Sequence, residues 1–230
     1  MKTTFHYLSF LLVLLLFSCS SQTGNDNTVA TKKEVSKIVI PEFNADSAYF
    51  YVAKQLSYGP RVPNTPEHKA CATYLSSKLK TYTSDVYLQK AQVRAYNNDV
   101  LNITNIIASF NPGLNNRILL CAHWDSRPYA DHDPNPENHR TPIDGANDGA
   151  SGVGVLMEIA RQMSLEPPRI GVDIIFFDAE DYGPPQDKQL MGEDDYWALG
   201  SQYWSRNPHK PGYFARYGVL LDMVGAADAR

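Results

Sequence analysis

Four short stretches of this chain gather side chains able to bind a metal and move protons. They are His123-Trp124-Asp125, the small-residue run Gly145-Ala146-Asn147-Asp148-Gly149-Ala150-Ser151-Gly152, the acidic Asp178-Ala179-Glu180-Asp181, and Asp222. Carboxylates mixed with imidazole suit zinc better than magnesium, and a set without thiolates argues against a purely structural site. Small residues around Asp148 let the backbone turn tightly and bring its carboxylate to a strand edge. Glu180 and Asp181 are adjacent and point in different directions, so one could ligate a metal while the other carries a proton. Each piece also has a plainer reading. His123 could be a satisfied core histidine, Asp148 a helix cap, Glu180-Asp181 solvated loop charge, and Asp222 the partner of an arginine such as Arg127.

The elements that must position these groups follow from periodicity. Residues 44–56 read as a helix with Tyr49, Val52, Ala53 and Leu56 on one stripe. Thr65-Pro66-Glu67 opens a second helix, with Thr as N-cap and Pro at its first position, and its face carries Cys71, Tyr74, Leu75 and Leu79. Strands are predicted over residues 86–95, 102–110, 117–124, 172–177 and 217–223. Helices are predicted over 151–163, burying Val155, Leu156, Ile159, Ala160 and Met163, and over 199–205. Strands alternating with helices, several of them continuously apolar, predict an α/β fold: a three-layer sandwich around a mixed, largely parallel sheet. Ligands bind outside the carboxyl ends of strands in such folds. His123 and Asp125, then Glu180 and Asp181, then Asp222 each follow a predicted strand, so three strands deliver them to one edge.

The chain has 230 residues, 43% of them hydrophobic, with a formal net charge of −4. That accommodates one globular domain plus a tail, and it excludes a nucleic-acid-tracking surface, which needs a basic excess. Residues 1–19 read as an export signal: Lys2, a short apolar run over 8–17, then Leu16-Phe17-Ser18-Cys19, close to a lipobox. Phe17 is bulky for that motif, which leaves ordinary cleavage nearby as the alternative. Residues 20–40 form a polar tether. Residues 41–230 are assigned to the folded domain. The expectation is an exported protein on the periplasmic side, held to the outer membrane by lipid on Cys19 and otherwise free of the membrane. Cys71 and Cys121 are expected to be small core residues rather than a disulfide pair. Residues 182–196 lack an apolar period and read as a long loop bordering the site. Trp197 and Trp204 follow it, as a pocket wall or as helix packing.

AHWDSR, GANDGASG with the following LMEIAR, FFDAED and LLDMVGA resemble the zinc aminopeptidase clan. Within it they are most similar to bacterial glutaminyl-peptide cyclotransferases (glutaminyl cyclases), and GPRVPNTPEH from Gly59 resembles that family's opening segment. The resemblance runs from about Asn44 to Arg230. It implies an enzyme that cyclises the N-terminal glutamine of peptides or proteins to pyroglutamate with release of ammonia, using one zinc; a monomer is expected. Asp148 and Asp181 match two zinc ligands, Glu180 the general acid/base, and Asp222 a carboxylate that hydrogen-bonds the reacting groups. Trp197 matches a pocket wall. In the clan's two-metal aminopeptidases the positions of His123 and Asp222 bind a second zinc, with Asp148 bridging, and Asp125 stands beside them. A two-zinc aminopeptidase is therefore the alternative activity, and a surface lipoprotein that binds peptides without catalysis is a third. Asp181 replaces a more usual Glu, which requires the strand end to lie closer to the metal. The family's third ligand, a His beyond the Asp222 motif, has no counterpart here, so a C-terminally truncated chain is expected. His132, His139 and His209 are expected to be exposed in loops.

Overall fold

The computed structural model describes residues 40–188 and 195–227. The export signal, Cys19 and nearly all of the tether lie outside them, as does the middle of the loop before Trp197. Helices α1 (Ala45–Leu56) and α2 (Pro66–Leu79) come first, followed by the hairpin of β1 (Asp85–Arg94) and β2 (Val100–Phe110). Then come β3 (Arg117–His123), α3 (Ala150–Leu165), β4 (Gly171–Phe177), α4 (Leu199–Arg206) and β5 (Gly218–Leu220).

The sheet order is β1-β2-β4-β3-β5. β2 runs antiparallel to both β1 and β4, whereas β3 is parallel to β4 and to β5. Four strands therefore point one way and only β2 opposes them, which is the mixed, largely parallel sheet expected. Alternation along β4 divides the core. Val172, Ile174 and Phe176 pack with Leu75, Leu156 and Met157 of α2 and α3 on one face. Ile175 and Phe177 pack with Ile107, Cys121 and Trp204 on the other. Helices thus cover both faces. All seven residues of β4 are buried, as a central strand demands.

Local signals account for the helix starts. Asn44 caps α1 by accepting from the Ser47 amide, and Thr65 caps α2 by accepting from the His68 amide, with Pro66 in the first turn. The buried stripe of α1 differs from expectation: Ala48, Tyr51 and Gln55 face inward, and Tyr49 is 75% exposed. The reason is polar. Gln55 donates to the Ala150 carbonyl at 3.1 Å, and the Tyr51 hydroxyl meets that of Tyr82, which rotates the helix away from its most apolar stripe. Strand β5 covers only Gly218–Leu220 and is exposed, shorter than the predicted 217–223, because among the described residues it pairs only with β3. Cys71 and Cys121 are both free and buried, on opposite faces of the sheet.

Candidate active site

The parallel register brings the chemistry to one edge. His123 pairs with Phe177 at the ends of β3 and β4, and Cys121 pairs with Leu220 just before Asp222. Asp148 reaches the same place from the loop before α3. Gly149 is the N-cap of α3 at φ +88°, and no side chain caps the helix. A methyl group at Gly149 would meet the Asp125 carbonyl oxygen and the His123 ring, so the loop passes against β3 only because this residue is glycine. Asp148 is released from capping and turned toward His123, whose Nε2 lies 2.8 Å from Asp148 Oδ1 and 3.6 Å from Asp222 Oδ1. The helix-cap reading of Asp148 and the Arg127 reading of Asp222 both fail, since Arg127 pairs with Asp131 at 2.5 Å.

After β4 the chain turns sharply through Ala179 at φ +48°. The amides of Glu180 and Asp181 both donate to the Asp125 carboxylate, at 3.0 and 3.1 Å, and Asp125 is fully buried. The His123 Nδ1 sits 3.3 Å from the same carboxylate. Asp125 thus links the His123 ring to the backbone that carries Glu180 and Asp181. Those two are not solvated loop charge, for Asp181 is buried and Glu180 half-buried.

Electrostatics follow from this crowding. Burial raises the Glu180 carboxyl to about 7; His123 opposes the rise, and Asp125, Asp148 and Asp222 reinforce it. Burial, reinforced by Asp125, Asp148 and Glu180, raises Asp181 to about 8, with Arg127 opposing. Burial disfavours a charged His123, but its hydrogen bonds to Asp125 and Asp148 and the nearby Asp222 carboxylate win and hold the ring well above the usual histidine range. The His123 ring, 3.6 Å away, in turn lowers Asp222.

The donor set fits a divalent metal. Oxygens of Asp148, Glu180 and Asp181 lie within 4.8 Å of one another, as do ligand atoms of His123, Asp148 and Asp222. Asp181 Oδ2 is buried with no hydrogen-bond partner among the described residues, an arrangement that is costly unless a cation or polar group meets it. Asp148 and Asp181 would hold one ion, with Glu180 beside them. The second cluster, centred on His123, shares Asp148.

Trp197 stands next to this group. Its ring lies 4.9 Å from the Arg127 guanidinium and covers Gly183, while Arg127 Nη1 donates to the Asp181 carbonyl and lies 3.6 Å from Asp181 Oδ1. Trp204 is on the far side of the sheet, edge-on to Phe177, and is a packing residue. His132 is exposed as expected, but His139 and His209 are not. His209 accepts a hydrogen bond from Trp204 Nε1 at 3.1 Å and packs against Tyr213, because these rings shelter one another away from the acidic edge. Sequence reasoning assigned no individual role to Arg61, His68 or Asp178. All three are buried polar groups, and no one-dimensional pattern marks a contact that spans scores of residues.

Comparison with known proteins matches this frame. Residues 105–230 match the model of Peptidase family M28. A zinc-dependent exopeptidase from Parabacteroides distasonis superposes with TM-score 0.80 at 59% identity, over 82% of this chain and 64% of that one. Bacteroides thetaiotaomicron glutaminyl cyclase, solved with N-acetylhistamine, superposes with TM-score 0.81 at 55% identity, over 83% and 65%. The Drosophila melanogaster glutaminyl-peptide cyclotransferase is 28% identical over 74% of this chain and 46% of its own length. The chain therefore spans about half of that curated relative and just under two thirds of these solved structures. With more than half of its residues matched to the family model and the acidic edge in place, this chain belongs to peptidase family M28.

Proposed function

We propose that the protein is a glutaminyl-peptide cyclotransferase that converts N-terminal glutamine of peptides or proteins to pyroglutamate and releases ammonia. The observation that carries this reading is the 55% identity to the Bacteroides thetaiotaomicron glutaminyl cyclase over 83% of this chain. A zinc ion held by Asp148 and Asp181 would supply Lewis-acid polarisation of the glutamine γ-carbonyl. Glu180, raised toward neutrality, accepts a proton from the substrate α-amine as its nitrogen bonds to the carbonyl carbon of the side-chain amide, and returns it to the amide nitrogen as that carbon–nitrogen bond breaks. Asp222, kept ionised by His123, accepts hydrogen bonds from the reacting nitrogens. Trp197 shields one side of the site from water.

The decisive experiment incubates the zinc-loaded protein with a glutamine-initiated peptide and follows mass. Loss of ammonia with an unchanged residue count supports cyclisation, and loss of the first residue overturns it. The second outcome has its own structural support, because His123, Asp148 and Asp222 form a cluster able to take a second ion, as a two-zinc aminopeptidase requires. Measured zinc stoichiometry separates the two readings, one per chain for the cyclase and two for the peptidase. We also propose that the protein is exported and lipid-anchored through Cys19, which rests on the apolar run over residues 8–17 and the residues before the cysteine.

A further inference from the structure

Residues 59–68, the loop after α1 and the first turn of α2, contribute nothing to the acidic edge, yet two of their side chains reach deep behind it. Arg61 is fully buried and, among the described residues, meets no carboxylate in a direct hydrogen bond. Its guanidinium instead serves backbone carbonyls: Nε donates to Trp124 at 3.1 Å, Nη2 to Gly145 at 2.8 Å, and Nη1 to Asp144. Its main chain is tied to the same place, since the Arg61 amide donates to Ser126 Oγ at 2.8 Å and the Ser126 amide donates to the Arg61 carbonyl. The fork therefore joins the end of β3 to the loop that carries Asp148. A methyl group at Gly145 would meet Arg61 Nη2 and the Asp148 carbonyl oxygen, so loop and guanidinium are packed without slack.

His68, seven residues later, does the matching task at the other loop. Its Nε2 lies 2.8 and 3.0 Å from the two oxygens of Asp178, which is fully buried where β4 ends and the Glu180–Asp181 turn begins. Asp178 also accepts from the amides of Thr104 and Ala179. The His68 ring stacks on Trp124 with centroids 4.3 Å apart. Arg61 and His68 thus share Trp124 as a common anchor, one holding its carbonyl and the other its ring.

We infer that residues 59–68 form a clamp that sets the spacing between the Asp148 loop and the Glu180–Asp181 turn, with Arg61 and His68 as positioning residues for the metal site. Metal ligands on separate loops bind tightly only when the loops are fixed beforehand, because any ordering left to the binding step subtracts from affinity. A planar guanidinium is suited to this, for it donates to several carbonyls at fixed angles where an ammonium cannot. The inference rests on the metal-site reading above, and its test keeps the two apart.

The experiment compares the full chain with Arg61→Lys, which keeps the charge and loses the fork, and with His68→Phe, which keeps the stack and loses the bond to Asp178. His68→Gln serves as a rescue that can restore that bond. Amide hydrogen exchange is measured first, without metal. Arg61→Lys should speed exchange in residues 145–150, and His68→Phe in residues 179–181, each on the order of tenfold, while the β2–β4 amides stay protected. Zinc affinity, measured by calorimetry, should fall about ten- to a hundredfold in both, with His68→Gln recovering part of the loss. Unchanged exchange in both loops overturns the clamp, as does loosening spread evenly over the β2–β4 amides. If the parent chain itself takes up no zinc, the metal-site reading fails while the exchange measurement still decides the clamp.

Discussion

Residue chemistry at the acidic edge rests on a contest between burial and charge. Glu180 is not a solvated acid. Its elevated carboxyl follows from partial burial beside Asp125, Asp148 and Asp222. Replacing Glu180 by Gln should leave zinc content nearly unchanged and lower turnover by about 10²- to 10⁴-fold, as expected for a lost general acid/base. Zinc content by metal analysis and turnover by ammonia release check this together, and a variant that loses its zinc would mean that Glu180 and Asp181 exchange roles. The same crowding sets the pH dependence of metal uptake. With Asp181 raised to about 8 and Glu180 to about 7, the metal-free protein holds protons at neutral pH that a cation must displace. Zinc binding should therefore release protons at pH 7 and weaken as pH falls below that range. Calorimetry in buffers of different ionisation heat gives the proton count. The linkage sign agrees: these carboxyls bind protons more tightly folded than unfolded, so the metal-free fold loses stability as pH rises from about 4 to 8.

At the scale of elements, the site depends on glycine where helix α3 meets the sheet. A methyl group at Gly152 would run into the carbonyl of Leu221 and the Ala122 side chain, and Leu221 immediately precedes Asp222. Leu221 also donates its amide to the Cys121 carbonyl at 2.8 Å, so it cannot retreat without breaking the continuation of the β3–β5 ladder. Gly152→Ala should destabilise the protein by about 1–3 kcal/mol through overpacking. It should also displace Asp222 from His123. Chemical denaturation reads the first effect, and the His123 ring resonances read the second. Equal stability and unmoved resonances would mean that α3 can slide to make room.

For the whole molecule, one chain carries a predicted export signal and a folded unit with helices on both faces of its sheet. Among the described residues no helix is long and apolar enough to cross a membrane. Under the anchoring proposal the attachment is covalent lipid on Cys19. Replacing Cys19 by Ala should move the protein from the membrane fraction to a soluble exported form, followed by fractionation and immunoblotting. A fully soluble distribution for both forms would favour ordinary signal cleavage. Ser20 after the cysteine carries no charge, which favours the outer membrane as destination.

The chain's sequence alone determined the strands and helices that obey a single period, and with them the edge at which the chemistry gathers. β4 was legible because seven consecutive residues are buried, and α2 because Thr65 and Pro66 mark its start. The convergence of His123, Asp148, Glu180, Asp181 and Asp222 was legible because each lies at or after the end of a strand or just before a helix, and parallel strands end on the same side. Tertiary structure alone decided which acid faces which partner. It turned Asp148 from a helix cap toward His123, gave Arg127 to Asp131 rather than Asp222, and drew His209 from the predicted exposed set into an aromatic cluster. It rotated α1 so that Gln55 rather than Ala53 lies inside. It also revealed Arg61 and His68, whose contacts reach across 63 to 110 residues of chain. The physical reason is common to all of these. Apolar burial repeats with the period of the backbone and can be read along the chain, whereas a buried polar group is satisfied by whichever donor or acceptor the fold happens to bring beside it.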